Sequence, residues 1–261
     1  MPSIPASSPA VSWRNKVPAV TLAFWGIKIM STTVGETVAD TLAVDIGLGM
    51  LMTDLTMASL LALALWIQMR TRRCVPWIYW LTVVLVSVVG TQITDVLTDR
   101  LEISLCVSTA AFAGILAVVF ALWYRQERTL SINAIDSLPR EAWYWGAILC
   151  TFALGTAAGD LATEALGLGF QIGVLLFSGL IALIALAYRL GINAVFAFWA
   201  AYVLTRPLGA ALGDLLSQDT TYGGLGFGAM VTSGVFLVVI AVFVYRAQRQ
   251  APTTRLTASM P

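Results

Sequence analysis

The residues best placed to do chemistry are four aspartates that recur in one pattern. Gly35-Glu-Thr-Val-Ala-Asp40, Gly90-Thr-Gln-Ile-Thr-Asp95, Gly155-Thr-Ala-Ala-Gly-Asp160 and Gly209-Ala-Ala-Leu-Gly-Asp214 each set a glycine five residues before Asp and a small residue just before it. A tryptophan stands fifteen residues before each Asp: Trp25, Trp80, Trp145 and Trp199. Residues four apart share a helix face. Counting back from each Asp in fours gives Glu36, Thr32 and Lys28 in the first copy and Thr91 and Ser87 in the second. The third copy gives Thr156 and Phe152, and the fourth Ala210 and Arg206. Counting forward adds Asp99, Glu164 and Gln218, and Gln92 lies close by. Oxygen-rich stripes suit hard cations such as Mg2+, Mn2+, Ca2+, Na+ or H+. The candidate ion ligands are Glu36, Asp40, Asp95, Asp160, Asp214, Gln92, Asp99 and Glu164. Glu36 and the four motif aspartates form the expected metal set. Lys28 and Arg206 are the expected internal counter-ions. No resident cofactor is implied, because the divalent cation is read as cargo.

Other chemistries are excluded by what the chain lacks. It has no histidine, so imidazole bases and imidazole metal sites are absent. Cys74, Cys106 and Cys150 form no CxxC pair and read as small apolar fillers. A net charge of +1 gives no basic field for nucleic acid.

The motifs need helices in a membrane to hold them. The chain is 59% hydrophobic and 11% charged, with mean hydropathy +0.85, whereas soluble domains are nearer half apolar and a quarter charged. A spanning helix takes about 20 apolar residues. Eight stretches qualify: Val17–Leu42, Leu48–Gln68, Trp77–Leu97, Leu105–Tyr124, Trp143–Leu166, Phe170–Tyr188, Ala194–Leu216 and Phe227–Tyr245. Twelve of the fifteen Lys and Arg fall before the first, after the even-numbered stretches or in the tail. Basic loops stay on the cytoplasmic side, which predicts both termini inside. The expected organisation is a short cytoplasmic lead over 1–16, repeats over 17–70 and 71–128, a cytoplasmic linker over 129–140, repeats over 141–190 and 191–247, and a tail over 248–261. The fold class expected is an all-α membrane protein of eight transmembrane helices. They form four parallel two-helix repeats, N-in and C-in, with polar odd helices inside and apolar even helices towards lipid.

This organisation resembles an uncharacterised group of bacterial membrane proteins described as four tandem repeats, each with two transmembrane segments and a marked tryptophan. The residues that carry the resemblance are the four tryptophans, the four Gly-x4-Asp motifs, and the runs Lys28-Ile-Met-Ser-Thr-Thr-Val-Gly-Glu-Thr and Thr205-Arg-Pro-Leu-Gly-Ala-Ala-Leu-Gly-Asp. The resemblance implies the fold and the repeat count, and no activity; the membrane expected is a bacterial inner membrane.

Each motif also has a plain packing reading. Gly35/Ala39, Gly90/Thr94, Gly155/Gly159 and Gly209/Gly213 are small-xxx-small pairs that let helices approach. The tryptophans lie near helix ends, where interfacial belts favour Trp. Asp40 lies about 35 Å along a helix that starts near Val17, so the aspartates could meet water at the far interface. Against that, a charge in hydrocarbon costs about 2.5–3.5 kcal/mol on insertion scales, and Pro207 beside Arg206 opens the helix there. The leading expectation is a permease for a hard cation, Mn2+ or Mg2+, with proton exchange. The alternative is a permease for a small organic solute that uses Lys28 and Arg206, with Trp25, Trp199 and Tyr202 lining it. An intramembrane enzyme and a structural or sensor protein come behind these. Expected partners are the bilayer and a small ion or solute, and a homo-oligomer stays open.

Overall fold

A computed structural model describes residues 15–40 and 50–250, except the side chains of Glu36, Ala39, Asp40, Met50 and Gln250. Among the described residues there are eight α-helices and no strand. They are α1 (Leu22–Asp40), α2 (Met50–Arg70), α3 (Pro76–Asp95), α4 (Leu105–Glu127), α5 (Leu138–Asp160), α6 (Gly169–Arg189), α7 (Ala194–Ser217) and α8 (Ala229–Gln250). Seven are long and apolar enough to cross a membrane, the build of a multi-pass membrane protein. The exception is α1, which carries Lys28, the Ser31-Thr32-Thr33 run and Glu36.

Local chemistry sets the helix ends. Pro76 and Pro139 sit in first turns, where a missing N–H costs nothing. The Ser104 hydroxyl accepts from the Val107 N–H, and the Asn193 amide oxygen accepts from the Val195 and Phe196 N–H groups. Two boundaries differ from expectation. The first helix starts at Leu22 rather than near Val17, because Pro18 disfavours helix at the preceding residue and Lys16 is tied elsewhere. Its N–H donates to the Ile135 carbonyl, 3.0 Å away. The fifth helix starts at Leu138 rather than Trp143, because Pro139 suits a first turn.

The odd helices form a closed ring: α1 packs on α3, α3 on α5, α5 on α7, and α7 back on α1. Each even helix covers the following odd one, α2 on α3, α4 on α5 and α6 on α7, and α8 completes the cycle on α1. In the spans built on α3, α5 and α7, 56%, 56% and 61% of the residues are buried, against 22%, 17%, 11% and 22% for α2, α4, α6 and α8. The odd-inside, even-outside expectation holds in this arrangement.

Candidate functional site

The ring closes through the motif glycines. A Cβ on Gly35 would collide with Ser87, and one on Gly90 would sit 2.6 Å from Phe152 Cβ. A Cβ on Gly155 would collide with Arg206, and one on Gly209 would lie 2.5 Å from Thr32 Cγ2. Each glycine is thus a notch for the residue eight before the Asp of the next odd helix. Hydroxyls lace the same seams. Thr33 Oγ1 donates to the Gly209 carbonyl (2.8 Å), Thr94 Oγ1 to the Ala153 carbonyl (3.1 Å) and Ser87 Oγ to the Thr32 carbonyl (3.4 Å). The small residues before Asp serve the same approach: Gly159 faces Pro207, and Gly213 faces Thr33.

The motif tryptophans pack inward, with Trp25 half-buried at the edge of the core. Trp80, Trp145 and Trp199 are 3%, 4% and 5% exposed, inside the bundle. Another aromatic residue precedes each of the four: Phe24, Tyr79, Tyr144 and Phe198. Each of these meets the tryptophan of a neighbouring repeat, in order around the ring. Centroid distances are 5.3 Å for Phe24–Trp80, 5.5 Å for Tyr79–Trp145, 6.1 Å for Tyr144–Trp199 and 5.6 Å for Phe198–Trp25. Eight rings form a girdle that fills the bundle at this level. Packing wins over interface anchoring because each pair adds about 0.5–1.5 kcal/mol beyond its buried area. The Tyr79 and Tyr144 hydroxyls close one seam at 2.5 Å. Tyr144→Phe is therefore expected to cost about 1 kcal/mol in thermal unfolding, since it strands the Tyr79 hydroxyl.

Next to the girdle, two basic chains cross the bundle. Lys28 reaches from α1 to the opposite helix α5, where its Nζ lies 3.8 Å from the Phe152 ring centroid and 4.5 Å from that of Tyr202. Lys28 Nζ also donates to Thr32 Oγ1 at 3.2 Å. Arg206 reaches from α7 to the opposite helix α3 and donates to the Thr91 hydroxyl. Its guanidinium carbon lies 5.8 Å from the Phe152 centroid. The two cations are within electrostatic reach of each other, and their side chains are 1% and 0% exposed. The arginine sits beside Pro207, whose missing N–H leaves the Val203 carbonyl without that helical donor. The Tyr202 hydroxyl is buried and has no hydrogen-bond partner among the described residues.

The acids are spread out. Asp95, Asp160 and Asp214 are half-buried at the far end of the ring from the girdle. Asp99 and Glu164 are exposed, on π-helical turns that follow α3 and α5 over Val96–Arg100 and Leu161–Ala165. Gln92 is buried, and its Oε1 has no partner among the described residues. The side chains of Glu36 and Asp40 lie outside the described residues. Among those described, no three His, Cys, Asp or Glu converge as a metal site.

A second buried cluster lies towards the starts of the odd helices, and motif reading missed it. Lys16 pairs with Glu141 of α5 and donates to the Met69 carbonyl (3.2 Å), while Gln68 Nε2 donates to Glu141 Oε1 (3.1 Å). Burial pushes the nearby Cys74 thiol up to about 11, in keeping with an inert filler.

A family model described as Repeat of Unknown Function (DUF347) matches the chain four times, over residues 23–74, 78–129, 143–191 and 197–251. No curated protein and no solved structure matches it.

Proposed function

The chain belongs to the DUF347 repeat family, whose description supplies no activity, so from its own side chains we propose a membrane carrier for a small solute bearing a negative group. The carrying observation is Lys28. Its ammonium is sealed in the bundle beside a second cation, and no carboxylate of the described residues lies within ion-pair distance of it. Cation–π contact with Phe152 and Tyr202 returns about 2 kcal/mol when desolvated. Effective desolvation costs several kcal/mol per ion, so a further anionic partner is called for. A carboxylate or oxoanion that pairs with Lys28 and accepts from the Tyr202 hydroxyl supplies it, with Arg206 as a further donor beside the partners it already has. An ionisable residue within a membrane bundle is by default a functional one. The proposal takes both termini as cytoplasmic and the membrane as a bacterial inner membrane, following the basic loops. It treats the protein as a carrier, not an enzyme.

The cation reading, with Glu36, Asp40, Asp95, Asp160 and Asp214 as ligands, keeps one favourable observation. Three half-buried aspartates stand at matched positions. It meets an electrostatic obstacle on the ring axis. A cation passing within ~6 Å of the Lys28 ammonium at an effective dielectric of ~20 is opposed by roughly 3 kcal/mol.

Counterflow into proteoliposomes separates the two, with a panel of small carboxylates, phosphate, sulfate, Mn2+ and Mg2+. Lys28→Met and Arg206→Met are each expected to lower uptake of an anion by about 100-fold, the scale of removing a desolvated charge partner. Tyr202→Phe is expected to weaken apparent affinity without lowering thermal stability, because its hydroxyl has no hydrogen-bond partner among the described residues. If folded Lys28→Met moves its solute normally while Asp95→Asn, Asp160→Asn or Asp214→Asn abolishes Mn2+ or Mg2+ flux, the anion carrier is wrong and the cation reading replaces it.

A further inference from the structure

On the lipid-facing flank, α4 and α7 part to leave an apolar cavity of about 430 Å³. Phe120 of α4 and Val195, Trp199 and Val203 of α7 form its walls, and Leu130 and Asn193 lie at one end. We propose that this groove holds one acyl chain of an anionic phospholipid whose phosphate rests on Arg128 and Arg189.

The groove is half open along the flank of the bundle and its lining is almost wholly apolar, so it suits hydrocarbon better than water. Between spanning helices, the medium at its mouth is hydrocarbon. The end marked by Leu130 and Asn193 is a helix-terminus level, since Leu130 follows α4 and Asn193 caps α7. That places it where a head group would lie.

The charge at that end has one sign. Arg128 precedes Leu130 by two residues, Arg189 precedes Asn193 by four, and Arg125 stands in the last turn of α4. All three are exposed, and among the described residues none takes part in an ion pair. The neighbouring acids Glu127 and Asp136 are both engaged by Arg140, at 2.8 and 3.0 Å. The segments that end at this level of the groove therefore carry exposed guanidinium groups with no ion-pair partner among the described residues. Guanidinium suits phosphate through paired N–H donors, and basic pockets between helices are the usual seat of anionic head groups.

The groove also reaches the girdle. Trp199 forms one wall, packs on Tyr144 and Tyr202, and donates from Nε1 to the Leu130 carbonyl at 3.0 Å. A bound lipid would press on the same ring that closes the bundle, independently of what the central site carries.

The test uses the full chain, purified in neutral detergent and titrated with phosphatidylglycerol or with phosphatidylcholine of matched chains. Native mass spectrometry counts retained lipid, and thermal unfolding gives the stabilisation. Phosphatidylglycerol is expected to bind about tenfold more tightly and to raise Tm more. Arg128→Gln with Arg189→Gln should erase that preference and leave the basal Tm unchanged. Ala200 of α7 also lines the slot, and Ala200→Phe, which fills it, should lower retention of both lipids. Equal retention of the two lipids by the wild type, a preference that survives both arginine changes, or a dimer seated on this face with no lipid retained would each overturn the proposal.

Discussion

Lys16→Met is expected to destabilise the protein by about 3–5 kcal/mol, the usual loss when one partner of a buried ion pair is removed. Lys16 and Glu141 are each 1% exposed. Among the described residues the carboxylate keeps the Gln68 amide alone, 3.1 Å away, once the ammonium is gone. The double change Lys16→Met/Glu141→Leu should recover most of the loss, because the pair itself contributes little beyond the cost of desolvating it. The contrast is Arg140, which bridges Glu127 and Asp136 with 27% of its side chain exposed. Arg140→Ala should cost under about 1 kcal/mol. Unfolding in mixed micelles measures all three. If Lys16→Met alone costs no more than the double variant, Glu141 is solvated and the cluster is not a buried staple. The expected size follows from what the pair joins: the chain before α1, the end of α2 and the start of α5, segments far apart in sequence.

The repeats, the odd-inside arrangement and the packing role of the glycines were legible in the sequence. Those features repeat at fixed spacing from Asp, and spacing on a helix is geometry. The neighbour of each glycine was not legible, because it depends on closure of the ring. Only then does Gly155 meet Arg206 and Gly209 meet Thr32. The tryptophans pointed two ways, since a Trp near a helix end suits an interface or a core. The aromatic residue before each of them, Phe24, Tyr79, Tyr144 and Phe198, was the available signal for the core. Interfacial anchors have no need of a partner ring at one fixed offset. Lys16 and Glu141 carried no signal at all. Each stands beside a helix start, where a charge normally faces water, and their separation of 125 residues hides the pairing. Lys28 and Arg206 were legible as buried charges. That they cross the ring to opposite helices and share Phe152 was not, because side-chain reach across a bundle has no sequence period.

Gly155→Ala should unfold the protein more readily by about 1–3 kcal/mol, the range for forcing a methyl group into a close-packed core. It should also cost transport out of proportion to that loss. The added Cβ would meet Arg206 Cβ and Cγ, with Pro207 Cδ 3.1 Å away. The stem of Arg206 cannot move aside easily, because Pro207 fixes the backbone there and the guanidinium is held on Thr91 across the ring. Relief therefore has to come from separating α5 and α7 or from withdrawing the guanidinium. Separation lowers stability, and withdrawal empties the proposed site. Gly146, nine residues earlier on the same helix, is the internal control, since a Cβ there would meet nothing within 4 Å. Gly146→Ala should be neutral, or stabilising by up to about 1 kcal/mol, because alanine is the better helix former. Thermal unfolding of both variants, with counterflow on the folded fraction, separates the effects. If both substitutions give the same Tm and the same flux as the wild type, then α5 and α7 do not meet at Gly155 as described. The notch scheme that sets Arg206 across the ring would then have to be abandoned.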